Sequence, residues 1–269
     1  MRPIAVPPYI SVHNQPVDVL EKQAVFIKTK LQQFFSEEPE VSVVIPAYNE
    51  EQHILKTLAS LAASATDKKF EVIVVNNNSQ DRTAMLARLT GAVCLEEPVQ
   101  GIAAARNRGL QQAKGRLILN ADADTIYPPH WIGLMTAPLD DQKIALTYGS
   151  HAFLPTAGTG RLVYFGYELV AAVSRWLNSL REEAVNVYGF SSGFRRLEGI
   201  QVEGFDHPPG ANEDGWLAVK LRHAFAKKLY RVSDVRALAW TNDRRIQADG
   251  GLVKGIIKRL KRHTKAFYP

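Results

Sequence analysis

Asp122 and Asp124 stand one residue apart where the apolar run LILNA ends, in the stretch LILNADADT (117–125). In extended backbone, side chains two residues apart point the same way, so both carboxylates can face one cavity with Ala123 turned aside. Carboxylates so placed repel each other, and a divalent cation relieves the repulsion. Mg2+ in particular takes one or two protein carboxylates and fills its other positions with water and phosphate oxygens. The pair therefore suits a metal-bound diphosphate, although such a triplet alone is equally compatible with a solvated loop. Other chemistries lack their residues. Seven histidines lie scattered without the spacing of a zinc site, and there is no Ser-His-Asp or Cys-His set, no P-loop and no GxGxxG.

The elements that must position the pair can be read from the apolar runs. Residues 41–45 have strand length and are stopped by Pro46, and a helix from about Glu50 carries Ile54, Leu55, Leu58 and Leu61 on one face. The plan repeats with a strand at 71–75, a polar turn at 76–80 and a helix for which Ser79 is the N-cap. A third short strand at 93–95, a third helix at 101–113 and a fourth strand at 117–119 follow. Four strands separated by helices or loops predict a mainly parallel, doubly wound α/β sheet flanked by helices. Ligands of such sheets sit beyond the carboxyl ends of the strands. Three polar clusters fall there together: Tyr48 to Glu50, Asn76 to Asp81, and Asp122 to Asp124.

The stretches VIPAYNEE, VVNNNSQDRT, GIAAARNRGLQQAKG, LILNADADT and NEDGWLAVKL occur in the order and at about the spacing seen in family 2 glycosyltransferases of the GT-A fold, and the chain resembles that family over 41–245. The resemblance implies a nucleoside-diphosphate sugar donor, a divalent metal (Mg2+ or Mn2+), an irregular C-terminal acceptor region, and inversion by direct displacement onto an acceptor hydroxyl. It matches Ala47, Tyr48, Asn49 and Glu50 to the loop that contacts the nucleoside; the less favoured alternative is that Asn49 and Glu50 merely start a helix. Where the family usually has two aspartates, one of which reads the base, this chain has Asn76-Asn77, followed by Ser79. A carboxylate only accepts hydrogen bonds whereas an amide also donates, so the base is left open. Asp81 matches a later acidic residue of that loop, or simply favours the positive end of a helix. Arg106 matches the helix that closes over the nucleotide, where it or Arg108 offsets diphosphate charge or is an exposed cation. Asp122 and Asp124 match the metal pair, with Asp124 as direct ligand.

Asp214 matches the aspartate of the family's acidic motif, which takes the acceptor proton as general base, with Glu213 in reserve. The competing view is that acidic residues are favoured at a helix start. Residues 188–196 resemble the acceptor side. Arg244 and Arg245, in TNDRR after a strand ending at Trp240, resemble a basic loop, where either neutralises the leaving diphosphate or belongs to an exposed turn. Two rivals stand beside this reading. A nucleotide-sugar-forming nucleotidyltransferase would carry a glycine-rich basic loop where this chain has PAYNEE. A non-catalytic nucleotide-binding relative is favoured by Asn76-Asn77 and disfavoured by Asp122, Asp124 and Asp214.

The formal charge of +6 has one location. Lys254, Lys258, Arg259, Lys261, Arg262 and Lys265 follow Gly251 with no acidic residue among them, and the rest of the chain balances. A nucleic-acid-binding surface spread over the body is therefore not expected. The lysines and the apolar Val253, Ile256, Ile257 and Leu260 form two helical stripes, so 246–269 reads as a basic amphipathic helix. It either packs on the domain or lies on an anionic membrane, which would suit a lipid or lipid-linked acceptor. Residues 1–40 read as an extension, with a proline-rich arm and a helix at 19–35 begun by an Asp18–Glu21 capping box. A further helix at 161–180, apolar on one face, packs either in the core or on a membrane, core packing being the simpler reading. The single cysteine, Cys94, allows no internal disulfide and reads as a small buried hydrophobe. No signal peptide or membrane span is recognisable, which predicts a cytoplasmic protein, soluble or peripheral at the inner face of the membrane.

Overall fold

A computed structural model describes residues 2–156, 158–248, 250–252 and 254 of the chain. Three helices lead in: α1 (Pro8–Ser11), α2 (Val17–Lys22) and α3 (Ala24–Gln32). The single helix expected at 19–35 is broken at Gln23 (φ −95°, ψ 3°). Asp18 lies inside the first turn rather than capping it, and Glu21 pairs with Arg82 at 2.9 Å instead of closing a capping box. Leu20, Ile27 and Leu31 join the same core cluster as the sheet that follows.

That sheet grows from β1 (Val41–Ala47), α4 (Ile54–Ala62), β2 (Phe70–Asn76), α5 (Thr83–Leu89), β3 (Val93–Glu96), α6 (Ile102–Gln112) and β4 (Leu117–Ala121). Nearly continuous apolar runs make β1 and β2 buried on both faces, as covered parallel strands require. Val43 and Ile45 point into the cluster shared with α4, and Val44 into the one shared with Ala105 and Leu110 of α6. The close seat of α6 on β1 needs Gly109, where a Cβ would overlap Val44. Two boundaries differ from expectation. β1 runs through Pro46, which is tolerated because pairing with β4 ends at Val44, and α4 begins at Ile54 rather than near Glu50.

The second half adds β5 (Thr125–Ile126), α7 (Trp131–Thr136), β6 (Ile144–Tyr148), β7 (His151–Phe153), α8 (Arg161–Ser179), β8 (Ser191–Arg195), α9 (Arg196–Gln201), α10 (Glu213–Phe225), β9 (Lys228–Arg231), β10 (Ala239–Thr241) and α11 (Arg244–Ala248). The seven-stranded sheet has the order β3-β2-β1-β4-β8-β6-β9. Its β3, β2, β1 and β4 are parallel, β8 runs antiparallel to both its neighbours, and β6 and β9 are parallel. The chain departs from β1 toward β2 on one side and reaches β4 on the other, which opens a crevice at their carboxyl ends. A small sheet, β5-β10-β7, lies beside that crevice and ties the segment after Asp124 to the strand before Asn242.

Helix α8 packs one side on the core and turns an apolar side outward. Tyr164, Tyr167, Glu168, Ala171, Ser174 and Arg175 are buried, while Leu162, Leu169, Val173 and Trp176 are exposed. Glu168 sets this orientation: it takes the guanidinium of Arg161 at 2.9 Å and of Arg2 at 3.1 Å, and accepts from the Phe153 N–H at 2.8 Å. No helix among the described residues is long and apolar enough to cross a membrane.

Candidate active site

The acidic loop leaves β4 under firm control. The Asp122 N–H donates to Tyr127 Oη at 2.8 Å, and that hydroxyl donates to the Phe190 carbonyl at 2.7 Å. Burial, then the nearby Asp122, pushes the Tyr127 phenol well above its ordinary range, so it stays a neutral donor. Thr57 Oγ1 of α4 sits 2.9 Å from the Ala123 carbonyl and 2.8 Å from that of Thr125. Each carboxylate meets a different arginine. Arg106, wholly buried, reaches Asp122 at 3.2 Å, while the half-exposed Arg244 reaches Asp124 at 2.8 Å. Asn242 Nδ2 also donates to Asp124 at 3.1 Å.

A cavity of about 440 Å³ opens beside the pair, lined by Tyr48, Glu50, Asn77, Gly101, Asp122, Asp124 and Arg244 among others. Its wall is knit from the first two strand-end loops. Asn49, in the left-handed region (φ 54°), accepts from the Gln80 N–H at 2.8 Å, and its own N–H donates to Ser79 Oγ at 3.0 Å. Ser79 is thus a loop tie rather than a helix cap. α5 begins at Thr83, whose N–H donates to Asp81 at 2.9 Å. Asn76 donates to Glu96 at 2.6 Å. Asn77 donates to the carbonyls of Glu97 (2.9 Å) and Val99 (2.7 Å) and accepts from the Gly101 N–H (2.8 Å), at the N-terminus of α6. Glu50 holds Arg244 at 2.6 Å; desolvation, opposed by Arg244 and reinforced by Asp124, raises its carboxyl to about 7.

Behind the acidic loop Arg106 bridges to α10. It pairs with Asp214 and lies 3.6 Å from Glu213, and the second Asp214 oxygen accepts from the Gly189 N–H at 2.7 Å. Gly189 is required there, because a Cβ would overlap the guanidinium. Asn212 caps α10 by accepting from the Gly215 N–H at 2.9 Å. A second cavity, of about 170 Å³, shares Asp122 and Asp124 with the first and is otherwise lined by His151, Phe153, Tyr188, Phe190, Thr241, Asn242 and Ile246. His151 stands edge-on to Phe153 and Phe190 at 4.9 and 4.8 Å between ring centroids.

Of the residues singled out in the sequence, Tyr48, Glu50, Asn77, Asp122, Asp124 and Arg244 line the larger cavity. Ala47, Asn49, Asn76, Ser79, Arg106, Glu213 and Asp214 are not among the residues that line either cavity. The Arg245 side chain and the basic stretch 255–269 lie outside the described residues. Sequence reading missed Thr57, Tyr127, Asn242, His151 and Phe153. Only the alternation of His151 and Phe153 along one strand face offered a signal. The carboxylate pair fits a divalent cation shared with a phosphate ligand. Two side chains on one loop face open space, and what meets them is cationic or donating, at the place a cation would take. Among the described residues no cluster of three ligating side chains forms a closed protein cage.

A mainly parallel sheet with polar loops at its carboxyl edge, a crevice beside the switch point and a carboxylate pair between two cavities define a doubly wound α/β protein. A profile described as "Glycosyl transferase family 2" matches residues 42–196, more than half of the chain, and the chain belongs to that family. Glycosyltransferase AglE of Haloferax volcanii is 34% identical over 129 residues, covering 45% of this chain and 42% of that protein. The matched stretch spans under half the length of such relatives. Among solved structures, the mannosyltransferase PcManGT from Pyrobaculum calidifontis, in complex with GDP-Man and Mn2+, superposes with a TM-score of 0.58 at 21% identity over 90% of this chain and 76% of that one. Glucosyl-3-phosphoglycerate synthase from Mycobacterium tuberculosis, in complex with Mn2+, UDP and phosphoglyceric acid, gives 0.57 at 22% identity over 89% and 82%. Both share the GT-A fold with this chain.

Proposed function

We propose that the chain transfers a sugar from a nucleoside-diphosphate donor to an acceptor hydroxyl, with inversion at the anomeric carbon. The observation that carries this reading is the sharing of Asp122 and Asp124 by two cavities of different character, one walled by polar strand-end loops and one aromatic. The nucleoside lies in the larger cavity beside Tyr48, with its diphosphate toward the carboxylate pair. Asp122 and Asp124 would hold a divalent cation, which when bound supplies charge neutralisation for the diphosphate. Arg244, released from Glu50 and Asp124, turns its guanidinium fork to the phosphates. The acceptor enters through the aromatic cavity. Its hydroxyl oxygen bonds to the anomeric carbon as the bond to the diphosphate oxygen breaks, and its proton passes to a carboxylate on α10. Asp214, oriented by Arg106 and the Gly189 N–H, is assigned that role, with Glu213 beside it.

The structural duties of Asn77 weaken the non-catalytic alternative, because its departure from aspartate follows from the two carbonyls it holds. A hydrolysis screen of UDP-, GDP- and dTDP-sugars with Mg2+ or Mn2+ tests the proposal. Release of nucleoside diphosphate above the enzyme-free rate is expected with one donor and a metal, and silence with every donor and both metals contradicts it.

A further inference from the structure

Helix α8 turns its Glu168 and Arg175 inward with Tyr164, Tyr167 and Ala171, and leaves a row of large hydrophobic residues outward. Leu162, Leu169, Val173, Trp176 and Leu180 are each half-exposed or more and recur at intervals of seven, four, three and four. They make one stripe along a helix of 19 residues and its C-cap, Leu180, about 28 Å at 1.5 Å per residue. The only acidic residue of α8, Glu168, is buried. A half-turn of the helix would bury the stripe, but it would pull Glu168 away from Arg2, Arg161 and the Phe153 N–H. The apolar face is therefore held outward by a buried charge network, and a contiguous face of that kind marks an interaction site.

Two further observations say what covers it. Leu252 packs against the buried cluster of Phe153, Tyr164 and Tyr167, on the inward side of α8, so the described part of the chain ends near this helix. The sequence onward from Lys254 carries all six excess cations and no acid. An exposed apolar helix face and a polybasic sequence in one chain match the two signals by which a protein holds to an anionic bilayer, apolar insertion and attraction to acidic headgroups. A second copy of the chain would present the same face, with no exposed acid on it to meet those cations. The buried side of α8 also backs the aromatic cavity, since Phe153 lies 5.4 Å from Tyr164 and 5.9 Å from Tyr167, ring to ring.

We propose that α8 seats the protein on an anionic lipid surface and that the aromatic cavity beside it takes an acceptor hydroxyl carried by a lipid. The acceptor half rests on the transferase reading above; the surface half stands without it. The test is sedimentation of the full chain with phosphatidylcholine vesicles, with and without phosphatidylglycerol, at low salt, for the wild type and the double variant Leu169→Gln/Val173→Gln. Melting temperature, nucleotide-sugar hydrolysis and light scattering are read alongside. Expected is sedimentation that requires phosphatidylglycerol and falls about ten-fold or more in the variant, with melting and hydrolysis unchanged. Failure of the wild type to sediment, or sedimentation indifferent to the variant, overturns the proposal. A wild-type dimer that the variant turns into a monomer, without any vesicle binding, overturns it in favour of a second copy. Absence of hydrolysis by the wild type counts against the transferase reading alone.

Discussion

Asn77 is an amide because two carbonyls must be held. Aspartate at that position could accept from the Gly101 N–H but could not donate to Glu97 or Val99, and its charge would face both oxygens. Asn77→Asp should destabilise the fold by about 1–3 kcal/mol, measured by denaturant unfolding, and should weaken donor binding because the 97–101 loop walls the cavity. An unfolding curve that does not move contradicts the loop-holding account. For the proton acceptor, Asp214→Asn should leave donor binding nearly intact and lower turnover by roughly 10²–10⁴, whereas Glu213→Gln should cost only a few-fold. The reverse pattern moves the base to Glu213. The departure at Asn77 was visible in the sequence; its reason was not, because its partners lie 20 to 24 residues further along.

At the scale of elements, the strand–loop plan of the first half was legible because a parallel strand covered on both faces must be a run of apolar residues. The second half was less so. β5, β7 and β10 are two or three residues long, too short for any periodicity, and their pairing brings Asn242 and Arg244 to Asp124 across some 120 residues of chain. The orientation of α8 was hidden for the same reason, since its amphipathic pattern fits a core helix until Arg2, 166 residues away from Glu168, is placed. Another such contact lies at the loop before β8, where Gly189 leaves room for Arg106. Gly189→Ala should displace the guanidinium, lower the melting temperature in line with an overpacking cost of about 1–3 kcal/mol, and reduce hydrolysis more than a surface Gly→Ala does. A variant with wild-type melting and hydrolysis contradicts this role.

Over the whole molecule, charge gathers around the crevice with consequences for pH. Burial, aided by Arg244 and Lys56, lowers the His53 imidazole from 6.5 to about 4, and burial raises Glu50 from 4.5 to about 7. The unfolded chain takes up the His53 proton first, so that residue withdraws stability as pH falls from 6.5 toward 4. The folded chain takes up the Glu50 proton first, so that residue adds stability as pH falls from 7 toward 4.5. Relative to wild type, the change in melting temperature from pH ~7.5 to ~5 should therefore become more favourable in His53→Gln and less favourable in Glu50→Gln. Identical shifts in all three proteins contradict the assignment.

The central claim, that Asp122 and Asp124 form a metal-assisted diphosphate site, is tested most directly by calorimetric titration of GDP, UDP and dTDP into wild type and Asp124→Asn, each with Mn2+ and with chelator. The account predicts that wild type binds one of these nucleotides about ten-fold or more tightly with Mn2+ than without, and that Asp124→Asn loses most of that difference. Equal affinity with and without Mn2+ in the wild type, or an Asp124→Asn variant that keeps the wild-type affinity and metal requirement, would contradict it.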